Sequence, residues 1–187
     1  MIHSVQFTCV LDTNVIYPIE LRDILLWFAH YDLYTPKWSK GIFTEWISVM
    51  KQKGVSDLEV EKRTNWLLEA FPDAMVEHYE FLIDSLELPD PDDRHVLAAA
   101  IKTNANLIVT NNLKDFPYEA LEPHGILAKS ADDFLTDIID IDCKRAVDVF
   151  KELVLNRRNP VMDEYAVLER FRKNGLEDTA NYLHACL

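Results

Sequence analysis

A mostly apolar run rich in β-branched and aromatic residues, Val5 to Leu11, stops at the polar triplet Asp12, Thr13 and Asn14, which predicts a buried strand ending in a polar loop. Beyond Pro18, apolar side chains recur at Leu21, Ile24, Leu25 and Phe28, the spacing of an amphipathic helix. A second short strand is expected around Leu33 to Thr35. Ser39 is placed to cap a helix carrying Ile42, Trp46, Val49 and Met50. Ser56 with Glu59 forms a capping box for the next helix, striped by Val60, Thr64, Leu67 and Leu68.

Pro89 and Pro91 forbid a helix before about residue 92, and the acids that follow suit its first turn. Ala98, Ala99 and Ala100 permit close helix packing, and Leu107 to Val109 reads as a strand ending in Thr110, Asn111 and Asn112. With a further strand at Ile126 to Ala128, the alternation predicts an α/β fold, a parallel sheet flanked by helices. From Ser130 the pattern is purely helical, with Ser130 and Asp133 as a capping pair and stripes at Val147, Phe150, Val154 and at Leu176, Ala180, Leu183, Leu187. A sheet domain over residues 1–130 and an all-α C-terminal extension over 131–187 are therefore expected.

Apolar residues make up 49% of the 187, enough for a real core and against disorder. Four glycines form neither a G-x-x-x-x-G-K nor a G-x-G-x-x-G phosphate cradle. The net charge of −13 argues against a protein that holds nucleic acid mainly through a basic face. It leaves two readings of the excess acid, solvated surface or a carboxylate cluster for divalent cations. Cys9, Cys143 and Cys186 lack metal-ligand spacing, so reduced thiols and a cytoplasmic location are expected. MIHSVQ lacks the basic and apolar regions of a secretory signal, and no 18-residue apolar stretch predicts a membrane span.

In an open parallel sheet, sites form beyond the carboxyl ends of the strands. Asp12 and Asp115 follow strands at that edge, Asp92 and Asp93 open a helix facing it, and Glu45 lies early in the helix after the second strand. Acids gathered in this way suit Mg²⁺ or Mn²⁺, which take oxygen ligands and activate water for attack on a phosphodiester. Each acid alone has an ordinary explanation: an Asx-turn for Asp12, helix-dipole acids for Asp92 and Asp93, surface for Glu45. The six histidines are scattered without ligand spacing and read as surface or core. The four tryptophans read most simply as core, with Trp38 near a strand end as a possible stacking face.

The segments LDTN at Asp12 to Asn14, Glu45, DPDDRHVLAAA from Asp90 and IVTNNLKDFP from Ile108 resemble the PIN domain, the metal-dependent ribonuclease fold. The longer string from Leu11 to Ser39 and the tail RRNPVMDEYAVLERFRKNGL are similar to the VapC-type toxins with a C-terminal helical region. The resemblance implies a PIN-like sheet of four or five strands. It implies Asp12, Glu45, Asp93 and Asp115 as metal-binding acids, with Asp90 and Asp92 as substitutes for Asp93, and Asn14, Thr110 and Asn112 in support.

The family's T-x-D after the last strand is Asn112 here, leaving Asp115 to supply the fourth carboxylate. The resemblance further implies RNA cleavage with Mg²⁺ or Mn²⁺, a small antitoxin protein and a homodimer. Arg22, Arg94, Lys37 and Lys114, near the motifs, are candidate contacts to RNA. Two other readings stand beside this one. A haloacid-dehalogenase-type phosphatase also places Asp after its first strand, but needs a second acid where Asn14 stands. A catalytically silent PIN-like module binding protein or RNA would follow from the missing T-x-D aspartate.

Overall fold

A computed structural model describes residues 7–187. Val5 and Gln6 of the expected first strand, and His3, lie outside the described residues. The backbone divides into two units, residues 7–17 with Tyr34–Lys129, and Pro18–Leu33 with Ser130–Leu187.

The first unit holds a five-stranded, wholly parallel sheet: β1 (Thr8–Leu11), β2 (Thr35–Ser39), β3 (Met75–Val76), β4 (Leu107–Val109) and β5 (Leu127–Lys129), in the order β3-β2-β1-β4-β5. Cys9, Val10, Leu11, Ile108 and Val109 are fully buried, as expected of strands covered on both faces. Around the sheet lie α1 (Thr13–Ile16), α3 (Lys40–Gln52), α4 (Asp57–Ala70), α5 (Arg94–Lys102) and α6 (Tyr118–Leu121). The alanines of α5, Ala98, Ala99 and Ala100, are wholly buried, which lets this helix lie close to the strands.

The second strand is displaced from its expected position, running from Thr35 to Ser39 instead of ending at Thr35. Trp38 N–H bonds to Ala74 O on the β3 side. Pro36, two residues earlier, turns its missing N–H toward that same side, beyond the two residues of β3, so no ladder bond is lost. β3 itself is too short for any periodicity to reveal.

The sheet order places a topological switch beside β1: the chain runs outward through β2 and β3, then returns to β4 on the other side of β1. Leu11 pairs with Val109, so the residues following β1 and β4 emerge together at the carboxyl edge.

The second unit is all-helical: α2 (Ile19–His30), α7 (Ala131–Ile141), α8 (Cys143–Asn156), α9 (Glu164–Lys173) and α10 (Glu177–Cys186). Of the predicted stripes, Val147, Phe150, Val154, Leu176, Ala180 and Leu183 are buried, whereas Leu187, the last residue of the chain, is exposed. Asp132 fastens the start of α10, accepting from Thr179 N at 2.8 Å and Thr179 Oγ1 at 2.6 Å. Glu20, 5% exposed, is neutralised by Arg157 at 2.6 Å and Arg170 at 3.3 Å, the pairing that makes a buried carboxylate tolerable.

Three further expectations fail. Cys143 and Cys186 are joined in a disulfide across 43 residues, leaving Cys9 as the buried free thiol. Sequence spacing carries no information on which cysteines meet. Trp66 is 59% exposed instead of core, because the buried face of α4 is set by Val60, Thr64 and Leu67. Trp38, fully buried among Phe43 and Phe71, has no exposed face for stacking. Among the described residues, no helix is long and apolar enough to cross a membrane.

Candidate metal centre

Asp12 directly follows β1 and caps α1, its Oδ1 accepting Thr13 N–H at 2.6 Å. Its Oδ2 accepts from Thr110 Oγ1 at 2.7 Å and from Asn14 Nδ2 at 2.5 Å. The pairing of β1 with β4 brings Thr110 to Asp12, and Asn14 closes the link by also donating to Thr110 Oγ1 at 2.9 Å. Asn14 Oδ1 accepts Asn111 N–H and Thr110 Oγ1 accepts Asn112 N–H, so the loop after β4 is tied to the loop after β1. Asn14 and Thr110 thus both contact Asp12 directly. Asn112 contacts a different acid: its Nδ2 donates to Asp115 Oδ2.

Glu45 lies in the second turn of α3, a helix capped as expected by Ser39, whose Oγ accepts Ile42 N–H. Its two carboxylate oxygens have different partners: Thr13 Oγ1 donates to Oε2 at 2.5 Å, and His95 Nε2 lies 2.7 Å from Oε1. Neither Thr13 nor His95 was among the expected site residues. Thr13 stands inside the LDTN string and His95 directly follows Asp93 and Arg94. No spacing in the sequence reveals that both reach Glu45.

Ligand oxygens of Asp90, Asp93 and Asp115 lie within 4.8 Å of one another. Asp90 caps the turn Pro91–Asp93, accepting Asp92 N–H at 2.9 Å, and Asp93 stands at the N-cap position of α5. Asp92 is exposed and lies outside this group. Asp115 is 9% exposed. Asp93 Oδ2 is buried with no hydrogen-bond partner.

The electrostatics join these acids into one field. Burial pushes the Asp93 carboxyl up to about 6, aided by the charges of Asp12, Asp90, Asp115 and Glu45. Burial also raises Asp12, with Glu45 adding to the rise, while the Thr110 and Thr13 bonds and the His95 charge oppose it. For Glu45 burial acts upward, but hydrogen bonds from His95 and Thr13 and the His95 charge prevail and hold it below the ordinary range. A concentration of hard oxygen donors with one buried, unpartnered carboxylate oxygen is chemically matched to a divalent cation, which would neutralise the mutual repulsion.

The expected RNA contacts divide between the units. Arg94 is the first residue of α5, with its Nε buried and unpartnered, and Lys114 is exposed in the loop between Asn112 and Asp115. Lys37, in β2, donates to Asp73 O at 2.6 Å. Arg22 lies in α2 of the second unit beside Asp23, whose carboxyl is raised by burial against the pull of Arg22 and Arg157.

Residues 131–185 match the VapC50 C-terminal domain. Over 49 residues the chain is 57% identical to the Mycobacterium tuberculosis H37Rv protein named "Putative ribonuclease VapC50". The match spans 26% of this chain and 29% of that protein. No solved structure matches. Residues 8–114, more than half of the chain, match the PIN domain, and the chain belongs to the PIN-domain family.

Proposed function

We propose that the protein is a Mg²⁺- or Mn²⁺-dependent endoribonuclease, the toxin of a VapBC-type toxin-antitoxin pair. The observation that carries this reading is the convergence of Asp90, Asp93 and Asp115, with Asp93 Oδ2 buried and unpartnered, within the same negative field as Asp12 and Glu45. The name of the Mycobacterium tuberculosis relative supports ribonuclease chemistry, and the two family matches support the toxin class.

Asp12, Asp93 and Asp115 would hold the cation, with Asp90 beside them and Glu45 completing the four acids of the family. A bound divalent cation supplies Lewis acidity toward water and toward the scissile phosphate. Thr110 and Asn14 keep Asp12 in one orientation, and Asn112 does the same for Asp115. Glu45, held below its ordinary titration range, is ionised at neutral pH and adds its negative charge to the cation site. Arg94 and Lys114, both in the first unit, contribute positive charge for RNA phosphates.

Residues 1–130 serve in this reading as the nuclease domain and 131–187 as the helical extension. In this reading the protein is a homodimer whose acidic pocket is covered by a small antitoxin, and its cytoplasmic location rests on the toxin class alone, since the Cys143–Cys186 disulfide removes the argument from reduced thiols. The test is cleavage of a mixed RNA pool by purified protein with Mn²⁺ or with EDTA, the new ends being sequenced. Cleavage that depends on Mn²⁺ and is lost in Asp12→Asn is expected. Intact Mn²⁺ binding without any cleavage would favour the silent module that binds protein or RNA.

A further inference from the structure

We propose that His95 is a positioning residue for Glu45, presenting an Nε2–H that fixes the carboxylate from one side while Thr13 fixes it from the other. The proposal deepens the nuclease reading and rests on it for the role of Glu45 in metal binding.

Three observations converge on the ring. An ionised carboxylate only accepts hydrogen bonds, so the 2.7 Å contact between His95 Nε2 and Glu45 Oε1 requires the proton to sit on Nε2, whether the ring is neutral or charged. The other nitrogen, Nδ1, lies 3.4 Å from Ser39 Oγ. That hydroxyl already accepts Ile42 N–H at the α3 cap, which leaves its own proton free to be donated to Nδ1 of a neutral ring. One serine thereby starts the helix that carries Glu45 and favours the ring tautomer that binds it.

The third observation is Gly41. A Cβ at this position would lie 2.7 Å from His95 Nδ1, closer than real contacts permit, and 3.1 Å from Cγ and Cε1, which is tight. The ring is stiff and only 14% exposed on its side chain, so it cannot yield easily. Gly41 is not required by backbone conformation: it sits in the first turn of α3, where alanine is the better helix former. Its missing side chain is the space that the ring occupies.

With both oxygens held, by Thr13 at 2.5 Å and His95 at 2.7 Å, Glu45 is fixed before any cation arrives. Hydrogen-bonding partners of metal-binding carboxylates typically contribute ~10- to 100-fold in metal affinity. Preorganisation of this kind depends on the donor and its place more than on the ring itself. Glutamine, whose amide N–H reaches to about the position of Nε2, should substitute for histidine, whereas leucine should not.

Two measurements decide it. Nitrogen-15 NMR of the imidazole in the metal-free protein should show His95 protonated at Nε2; a ring protonated at Nδ1 alone, or averaging between tautomers, overturns the proposal. Mn²⁺ titration should give ~10- to 100-fold weaker binding for His95→Leu and Gly41→Ala, with His95→Gln within about threefold of the wild type. Equal affinity in His95→Leu and wild type overturns it, as does a loss in His95→Gln as large as in His95→Leu. If His95→Leu fails to fold, Gly41→Ala against His95→Gln carries the comparison. A wild-type protein that binds no Mn²⁺ would sink the nuclease reading, and the NMR measurement would still decide how His95 holds Glu45.

Discussion

The hydroxyl of Thr110 donates to Asp12 Oδ2 at 2.7 Å across 98 residues of sequence, because Leu11 and Val109 pair in neighbouring parallel strands. Thr110 is fully buried and its oxygen also accepts from Asn14 Nδ2 and Asn112 N. Thr110→Val keeps the shape but strands these donors. A loss of about 2 kcal/mol in urea unfolding of the metal-free protein is expected, the usual cost of leaving buried polar groups unpaired. A change within 0.5 kcal/mol, the scatter of ordinary surface substitutions, would show that the link does not hold the loops.

Asp93 and Asp92 should behave oppositely. Asp93→Asn removes a buried charge repelled by four neighbouring carboxylates, so the metal-free protein should melt higher at pH 7.5 than the wild type. Asp92→Asn, at an exposed position outside the cluster, should leave the melting temperature unchanged. Thermal melts of the three proteins in EDTA check this, and a lower melting point for Asp93→Asn would count against a repulsive cluster.

The same charge sets a pH dependence. The Asp93 carboxyl titrates at about 6 in the folded chain and near 3.9 when unfolded, so between those values the native state binds more protons. Its contribution to metal-free stability therefore falls as pH rises from about 4 to 6 and is level above. The difference between wild type and Asp93→Asn in urea midpoints, measured from pH 4 to 8, should follow that curve. Stabilisation by Mn²⁺ should have the opposite slope, growing through pH 6 as the proton leaves.

Much of this arrangement was legible in the sequence and part of it was not. Leu107–Val109, the Ser39 and Ser56 caps and the late helical stripes follow from local rules, and local rules apply within a few residues of where they are read. The edge position of Asp12 was legible because a polar triplet ended an apolar strand. The contacts of His95 and Thr13 with Glu45 were not, since they depend on how α3 and α5 pack. The Cys143–Cys186 bond belongs to the same class: it is set by the fold and leaves no trace in spacing.

That bond yields a direct count. Protein unfolded in denaturant without reductant should expose one thiol to Ellman's reagent, that of Cys9, and three after reduction. Three thiols before reduction would contradict the pairing.

RNA affinity should depend only weakly on salt. Two cationic contacts, Arg94 and Lys114, predict a slope no steeper than about −1.5 in log affinity against log salt for single strands. A slope beyond about −4 would require a basic surface that a chain of net charge −13 does not predict.

The most direct test of the metal centre is calorimetric titration of Mn²⁺ into wild-type protein and Asp93→Asn side by side. Saturable heat in the wild type that disappears in the variant is the expected result. No heat in the folded wild type, or the same binding curve for both proteins, would contradict a cation site built around Asp93.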